Sequence, residues 1–269
     1  MTGKKVLYVS SEVIPYLPNN DISTLTYKLP KVVNKNGGQT RIFIPKYGII
    51  NERRHQLHEV IRLSGMNLII DDLDMPLIIK VASIPKERMQ VYFIDNEEYF
   101  KNRLLDSDKK KKLYNDNDER AIFFAKGVVE TIKKLNWSPD IIHVHGWIAS
   151  LMPLYLKEYY KDEPLFSNTK VVTSIYENEI EGKLSDDVVK KIHFDKIQSD
   201  TLNELSDSSY ENLYKISILN SDGVVFANEN IKQTYVDLAK TLKIPTLNCG
   251  FNEGFEKQYI EFYNDKILK

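Results

Sequence analysis

The chain has 269 residues, 42% of them apolar, with 37 basic and 38 acidic side chains and a single cysteine, Cys249. That length holds one large domain or two small ones, the balanced charge gives no field to gather nucleic acid or an anionic membrane, and a lone cysteine excludes an intrachain disulfide framework. The apolar run Val6–Val9 is too short for a signal-peptide core, and no stretch approaches the ~20 apolar residues of a membrane span, so a cytoplasmic chain is expected.

Val6-Leu7-Tyr8-Val9 reads as a buried strand. The next helix carries Leu25, Leu29, Val32 and Val33 on one face and stops at Asn36-Gly37-Gly38. Arg41–Ile44 is the following strand, which completes a βαβ unit and implies a parallel pair with a right-handed crossover. Between Val60 and Ile94 the apolar runs shorten to Leu68–Ile70, Leu77–Ile79 with Val81, and Val91–Ile94, the texture of strands in hairpins. Residues 101–120 are polar, and Lys109–Lys112 read as a solvated loop rather than a phosphate patch. Ala121–Leu135 is an amphipathic helix ended by Asn136-Trp137-Ser138-Pro139.

Asp140–His145 is a buried strand, followed by a helix over about 148–160 and a strand at Lys170–Ile175. Residues 183–220 read as mostly helical. A strand at Val224–Ala227, a helix over about 230–242, a short strand at Ile244–Leu247 and an aromatic-rich helix from Phe251 to Leu268 finish the chain. This alternation predicts an α/β fold: a doubly wound, Rossmann-like parallel sheet with an antiparallel hairpin insertion.

Several segments in order carry a family resemblance. They are Lys5-Val6-Leu7-Tyr8-Val9-Ser10-Ser11-Glu12-Val13-Ile14-Pro15, Leu29-Pro30-Lys31 and Ile44-Pro45-Lys46-Tyr47-Gly48. Asp116–Arg120 before a Phe-Phe helix, Trp137–His143 and Pro153–Lys157 continue the series. Together they resemble the starch/glycogen synthase family, which extends α-1,4-glucans from a nucleotide-activated glucose. The resemblance covers about residues 4–230 and corresponds to the N-terminal, acceptor-side half of a two-domain GT-B glycosyltransferase. It implies one domain over 1–250, with 251–269 crossing back onto it as a helix that bears Phe255, Tyr259 and Phe262.

The family's chemistry-bearing positions differ here. Its Lys-Thr-Gly-Gly-Leu reads Pro18-Asn19-Asn20-Asp21-Ile22, its His-x-His-Asp-Trp-His reads His143–Ile148 with Gly146 in the acidic slot, and its next His-Asn pair is Tyr176-Glu177. Of that last motif only the closing glycine, Gly182, persists. A Gly-Gly pair lets backbone N–H groups cradle a diphosphate. Asn19 and Asn20 are expected to keep the turn in left-handed angles. Asp21 adds a like charge that costs about 1–4 kcal/mol against a phosphate ~4 Å away. Glu177 reads as a surface carboxylate beside Glu179 and Glu181, the alternative being a replacement nucleophile or base.

The substrate-binding candidates are Trp147, Glu12, His145 and Gly182, and no catalytic residue is assigned. Trp147 reads equally as a platform for a sugar face and as core. His143 and His145 share one strand face; without a Cys/His cluster they read as histidines hydrogen-bonded to backbone, not as metal ligands. His55 and His58 are expected at the surface, and Cys249 reads as a packed thiol. Sixteen tyrosines suit carbohydrate recognition. The expectation is therefore a chain inactive alone that binds α-glucan or assists glycogen metabolism, with ADP-glucose implied by the resemblance only. No cofactor is expected, nor a nucleic-acid or membrane partner, while a protein partner or homo-oligomer fits. The rival readings are an active transferase whose site is rebuilt from Trp147, Glu12 and Glu177 or completed by a partner chain, and a scaffold with no carbohydrate role.

Overall fold

The structure is a computed structural model that describes residues 1–87, 89–177, 180–250 and 254–269. In chain order its elements are β1 Lys5–Ser10, α1 Asp21–Lys35, β2 Gln39–Pro45, β3 His58–Glu59, β4 Met66–Ile70, β5 Leu73–Ser83 and β6 Gln90–Asp95. Then come α2 Asn117–Leu135, β7 Ile141–His145, α3 Met152–Glu158, β8 Lys170–Ile175, α4 Val188–Phe194 and α5 Tyr210–Leu219. The last are β9 Gly223–Phe226, α6 Gln233–Leu242, β10 Thr246–Asn248 and α7 Phe255–Phe262.

The sheet runs β10-β9-β8-β7-β1-β2-β6-β5-β3, and β4 pairs with β5. From β10 to β6 the pairs are parallel; β5 and β3 add antiparallel edges, and β4–β5 is the hairpin insertion. The central parallel strands β1, β7, β8 and β9 are mostly apolar and buried, as strands covered on both faces must be, while the edge strand β10 is largely exposed. The order of strand addition reverses between β1 and β7, and ligands in such sheets bind outside the carboxyl ends of the strands at that switch point.

Right-handed crossovers put α1 on one face and α2, α3, α5 and α6 on the other. α7 packs beside α1. After it a π-helical turn, Tyr263–Ile267, carries the chain over the sheet. Tyr259, Phe262, Tyr263 and Ile267 are buried there. Gly223 in β9 permits the approach: a Cβ would overlap Ile267 Cδ1 and stand 3.1 Å from Phe262.

Two local features differ from the expectations, while residues 183–220 are mostly helical as expected. The helix expected over 148–160 is broken: a 3-10 turn, Trp147–Ala149, precedes α3, which starts with Pro153 in its first turn, where a missing N–H does no harm. Residues 183–220 hold α4, a 3-10 segment at Asp200–Ser206 and α5. His55 is half-buried against the Tyr16 ring, 4.9 Å between centroids. The expected helix start at Phe251 lies outside the described residues.

Candidate functional site

The site grows from the carboxyl ends of β1 and β7. Ser11 N donates to His145 O at 2.9 Å, which locks the two strand ends together. Glu12 follows Ser11, and Gly146 and Trp147 follow His145. Gly146 has φ +80° and ψ 167°, a region that essentially only glycine occupies. A Cβ there would overlap Ser11 Oγ and stand 2.9 Å from Ser11 Cβ. The slot that carries aspartate in the family thus has no room for a side chain here.

The start of α1 is closed by its own residues. Asn20 is the N-cap with φ −151°, an extended conformation and not the left-handed one expected. Its Oδ1 accepts from Ser23 N at 2.8 Å, and its own N donates to Ser23 Oγ at 2.9 Å, a reciprocal capping box. Asn20 Nδ2 donates to Glu12 Oε2 at 2.7 Å. Asp21 sets a carboxylate in the first turn, where the helix dipole favours an anion. Asn228 Nδ2 donates to Asp21 Oδ2 at 2.8 Å and ties it to the end of β9. At the helix start that would draw a phosphate, the amides of Ser23 and Thr24 are already bonded to Asn20 Oδ1 and O, and Asp21 places a carboxylate of the chain itself in the first turn.

Glu12 is only 7% exposed, and burial pushes its carboxyl up to about 7; the Asn20 hydrogen bond pulls the other way and Asp106 adds a raising contribution. It therefore carries a proton for much of the time near neutral pH.

His143 and His145 share a face, as their spacing predicts, with ring centroids 4.1 Å apart. Their bonds go to side chains, not to backbone. His143 Nδ1 lies 2.6 Å from Tyr263 OH and its Nε2 2.8 Å from Ser174 Oγ; His145 Nδ1 lies 2.7 Å from Tyr176 OH. Burial pushes His145 down to about 3 and His143 well below its ordinary value, the neighbouring His145 adding to the latter, so both rings are neutral. His145 Nε2, Ser11 Oγ and Tyr47 OH are buried with no partner among the described residues, unsatisfied polar atoms gathered beside the crevice.

Trp147 is 4% exposed. Its ring meets Tyr210 edge-on at 5.8 Å, and the Arg120 guanidinium lies 5.7 Å from its centroid. The indole is core packing and offers no open face for a sugar. Arg120 is itself buried, donating to the carbonyls of Tyr99 and Leu104 and to Asn117 Oδ1. Asn117 Nδ2 donates to Tyr210 OH at 2.7 Å. Tyr210 N donates to Gly182 O at 3.3 Å, so Gly182 joins the site through Tyr210. Gly182 has φ +118°, and a Cβ would stand 2.6 Å from Leu113 Cδ1.

Glu177 is exposed; its N donates to Asn228 Oδ1, and its Oε1 accepts from Asn230 at 3.0 Å. Its neighbour Glu179 lies outside the described residues. A cavity of about 580 Å³ opens here, with Glu177, Glu181, Asp207 and Glu211 set against Lys215 and Lys232. An excess of carboxylates disfavours a diphosphate. Among the described residues no group of three His, Cys, Asp or Glu could hold a metal ion.

Sequence reasoning missed Asn20 as a cap, although Asn followed by Ser three residues later is a readable capping pattern. It placed Tyr176 in the family's histidine slot but not its bond to His145, gave Arg120 no role, and missed Tyr263, whose partner His143 is 120 residues away in the chain.

A doubly wound domain with a crevice at the β1/β7 switch point is the class of protein these features define. Residues 5–241 match the starch synthase catalytic domain. The chain belongs to that family. The glycogen synthase of Chlorobium luteolum is 41% identical over 191 residues, covering 70% of this chain and 39% of the relative. That of Chlorobium phaeobacteroides is 35% identical over 98% of this chain and 55% of the relative. The chain thus spans about half the length of the curated relatives it matches. The catalytic domain of starch synthase IV from Arabidopsis thaliana, bound to ADP and acarbose, superposes with a TM-score of 0.72 at 18% identity, over 92% of this chain and 52% of that one, and shares its fold.

Proposed function

We infer that this chain is an α-glucan-binding, accessory member of the starch/glycogen synthase family that does not transfer glucose from ADP-glucose by itself. The observation that carries the reading is the self-capped start of α1: Asn20, Ser23 and Asp21 fill the place of the family's phosphate cradle. Gly146, which has no room for a carboxylate, and the acid-lined cavity at Glu177 support it. The ligand class comes from family membership. In this reading residues 1–250 form the domain, 251–269 close it, and the chain acts in the cytoplasm beside an active enzyme of glycogen metabolism.

Two measurements test it. During an ADP titration, the amide resonances of Asp21–Thr24 are expected to stay in place, while the protein co-sediments with glycogen. Saturable shifts at those amides, or no co-sedimentation, would sink the reading. One observation favours a rebuilt transferase instead: Glu12 holds an acid near neutrality beside the crevice, the tuning a general acid or base needs. Glucose incorporation decides between the two.

A further inference from the structure

Away from the crevice, a groove of about 430 Å³ lies between α2, the end of α3, the end of α4 and the β4 strand. Lys126 on α2 lines it, nine residues beyond Asn117 and so roughly 14 Å along the helix from the crevice end. Among the described residues large exposed apolar side chains are few, and three of them meet here: Ile69, Tyr159 and Phe194, at 55%, 43% and 50% exposure.

The groove is built rather than incidental. Lys126, 3% exposed, donates to Ile69 O at 2.7 Å and pairs with Asp195 at 2.5 Å, and Tyr155 OH donates to the other Asp195 oxygen at 2.8 Å. The Lys126 ammonium also stands 4.9 Å from the Tyr159 centroid, and Tyr160 meets Tyr159 edge-on at 4.8 Å. Tyr159 is therefore fixed in place and still keeps solvent-facing surface, which removes most of the ordering cost of stacking a ligand on it.

The lining selects the ligand class. Its charged groups are Lys126, Lys196, Glu130 and Asp195, two of each sign, so the groove favours neither a phosphate nor a polycation. The Lys126 bond to Ile69 O already uses a carbonyl of β4, which argues against a peptide adding as a strand. Aromatic surface beside the amide of Asn67 and the charged rim suits a neutral, polyhydroxylated chain, whose C–H faces stack and whose hydroxyls both donate and accept.

We propose that this groove is an α-glucan contact site separate from the crevice, with Tyr159 and Phe194 as its platforms. The choice of an α-glucan among neutral sugars rests on the function proposed above; the place does not. The test uses the full chain with maltoheptaose in calorimetry and with glycogen in co-sedimentation. It compares the parent with Tyr159→Ala, Phe194→Ala, the double variant, and Ile61→Ala, a control at an exposed side chain outside the groove. The double variant, folded by its unchanged melting temperature, is expected to bind maltoheptaose at least roughly tenfold more weakly, equivalent to about 1.4 kcal/mol, while Ile61→Ala binds as the parent does. If Tyr159→Ala itself unfolds the chain, Phe194→Ala and Asn67→Ala carry the test. Parent-like binding by the variants would overturn the site and leave the proposed function standing. No binding by the parent to either glucan would overturn both. Loss of a dimer in the variants with unchanged glucan affinity would make the face a contact between copies and overturn the site.

Discussion

Restoring the family's aspartate at position 146 is expected to damage the fold rather than recover an active site. Gly146 sits at φ +80° and ψ 167°, where a residue with a Cβ costs about 1–3 kcal/mol in backbone strain. Its Cβ would also overlap Ser11 Oγ and stand 2.9 Å from Ser11 Cβ, with Ile22 Cδ1 at 3.5 Å. Rotating the hydroxyl relieves the first contact, not the second, and Ser11 is 1% exposed. Overpacking of that kind adds about 1–3 kcal/mol. Gly146→Asp should thus lose about 4 kcal/mol, a fall in Tm on the order of 10 °C for a chain of this size. Gly146→Ala should lose most of the same amount, and Ser11→Gly in the Gly146→Asp background should recover the packing share but not the backbone share. Thermal melts followed by circular dichroism measure all three. A Gly146→Asp protein that melts within 2 °C of the parent, or that gains glucosyl transfer, would refute the reasoning.

Tyr263→Phe removes the partner of His143 Nδ1 and leaves a buried ring nitrogen unsatisfied; the expected loss is about 1–3 kcal/mol, read as a lower urea midpoint with an unchanged slope. Truncation before Gly254 withdraws Phe255, Tyr259, Phe262, Tyr263 and Ile267 from the core. At about 1.5–3 kcal/mol for each buried side chain, that rivals the whole stability of a domain, so the truncated chain should bind a hydrophobic dye and aggregate. Glu12 is raised from 4.5 to about 7 in the fold. The unfolded chain therefore gives up that proton first, and the fold loses stability as pH climbs through 4.5 to 7, with the full penalty above 7. Glu12→Gln should stabilise the protein at pH 8 by up to roughly 3 kcal/mol, a gap that closes toward pH 4.5; a gap that widens on acidification would contradict the burial argument.

The sheet is legible in the sequence because its signals are local. Val6–Val9 and Ile141–His145 are short apolar runs, and Phe124, Val128 and Ile132 repeat at helical spacing. The failures come where distant residues decide. Trp147 at a strand end reads as a platform or as core, and Tyr210 and Arg120, from other elements, make it core. His143 and His145 were expected to bond to backbone, yet a tyrosine from the last turn of the chain and two residues near the end of β8 supply their partners. At Asn20 the competing principle was capping: asparagine tolerates left-handed turns, but ahead of a helix with Ser23 three residues on, the extended N-cap wins.

The central claim is that this chain holds α-glucan without transferring glucose to it. Incubating the protein with glycogen and radiolabelled ADP-glucose, then sedimenting the glycogen, reads both halves in one pellet. Glu12→Gln, which removes the carboxyl beside the crevice, is the contamination control. The account predicts protein in the pellet and label at the no-protein background. Label above background that Glu12→Gln abolishes, or a pellet free of protein, would contradict it.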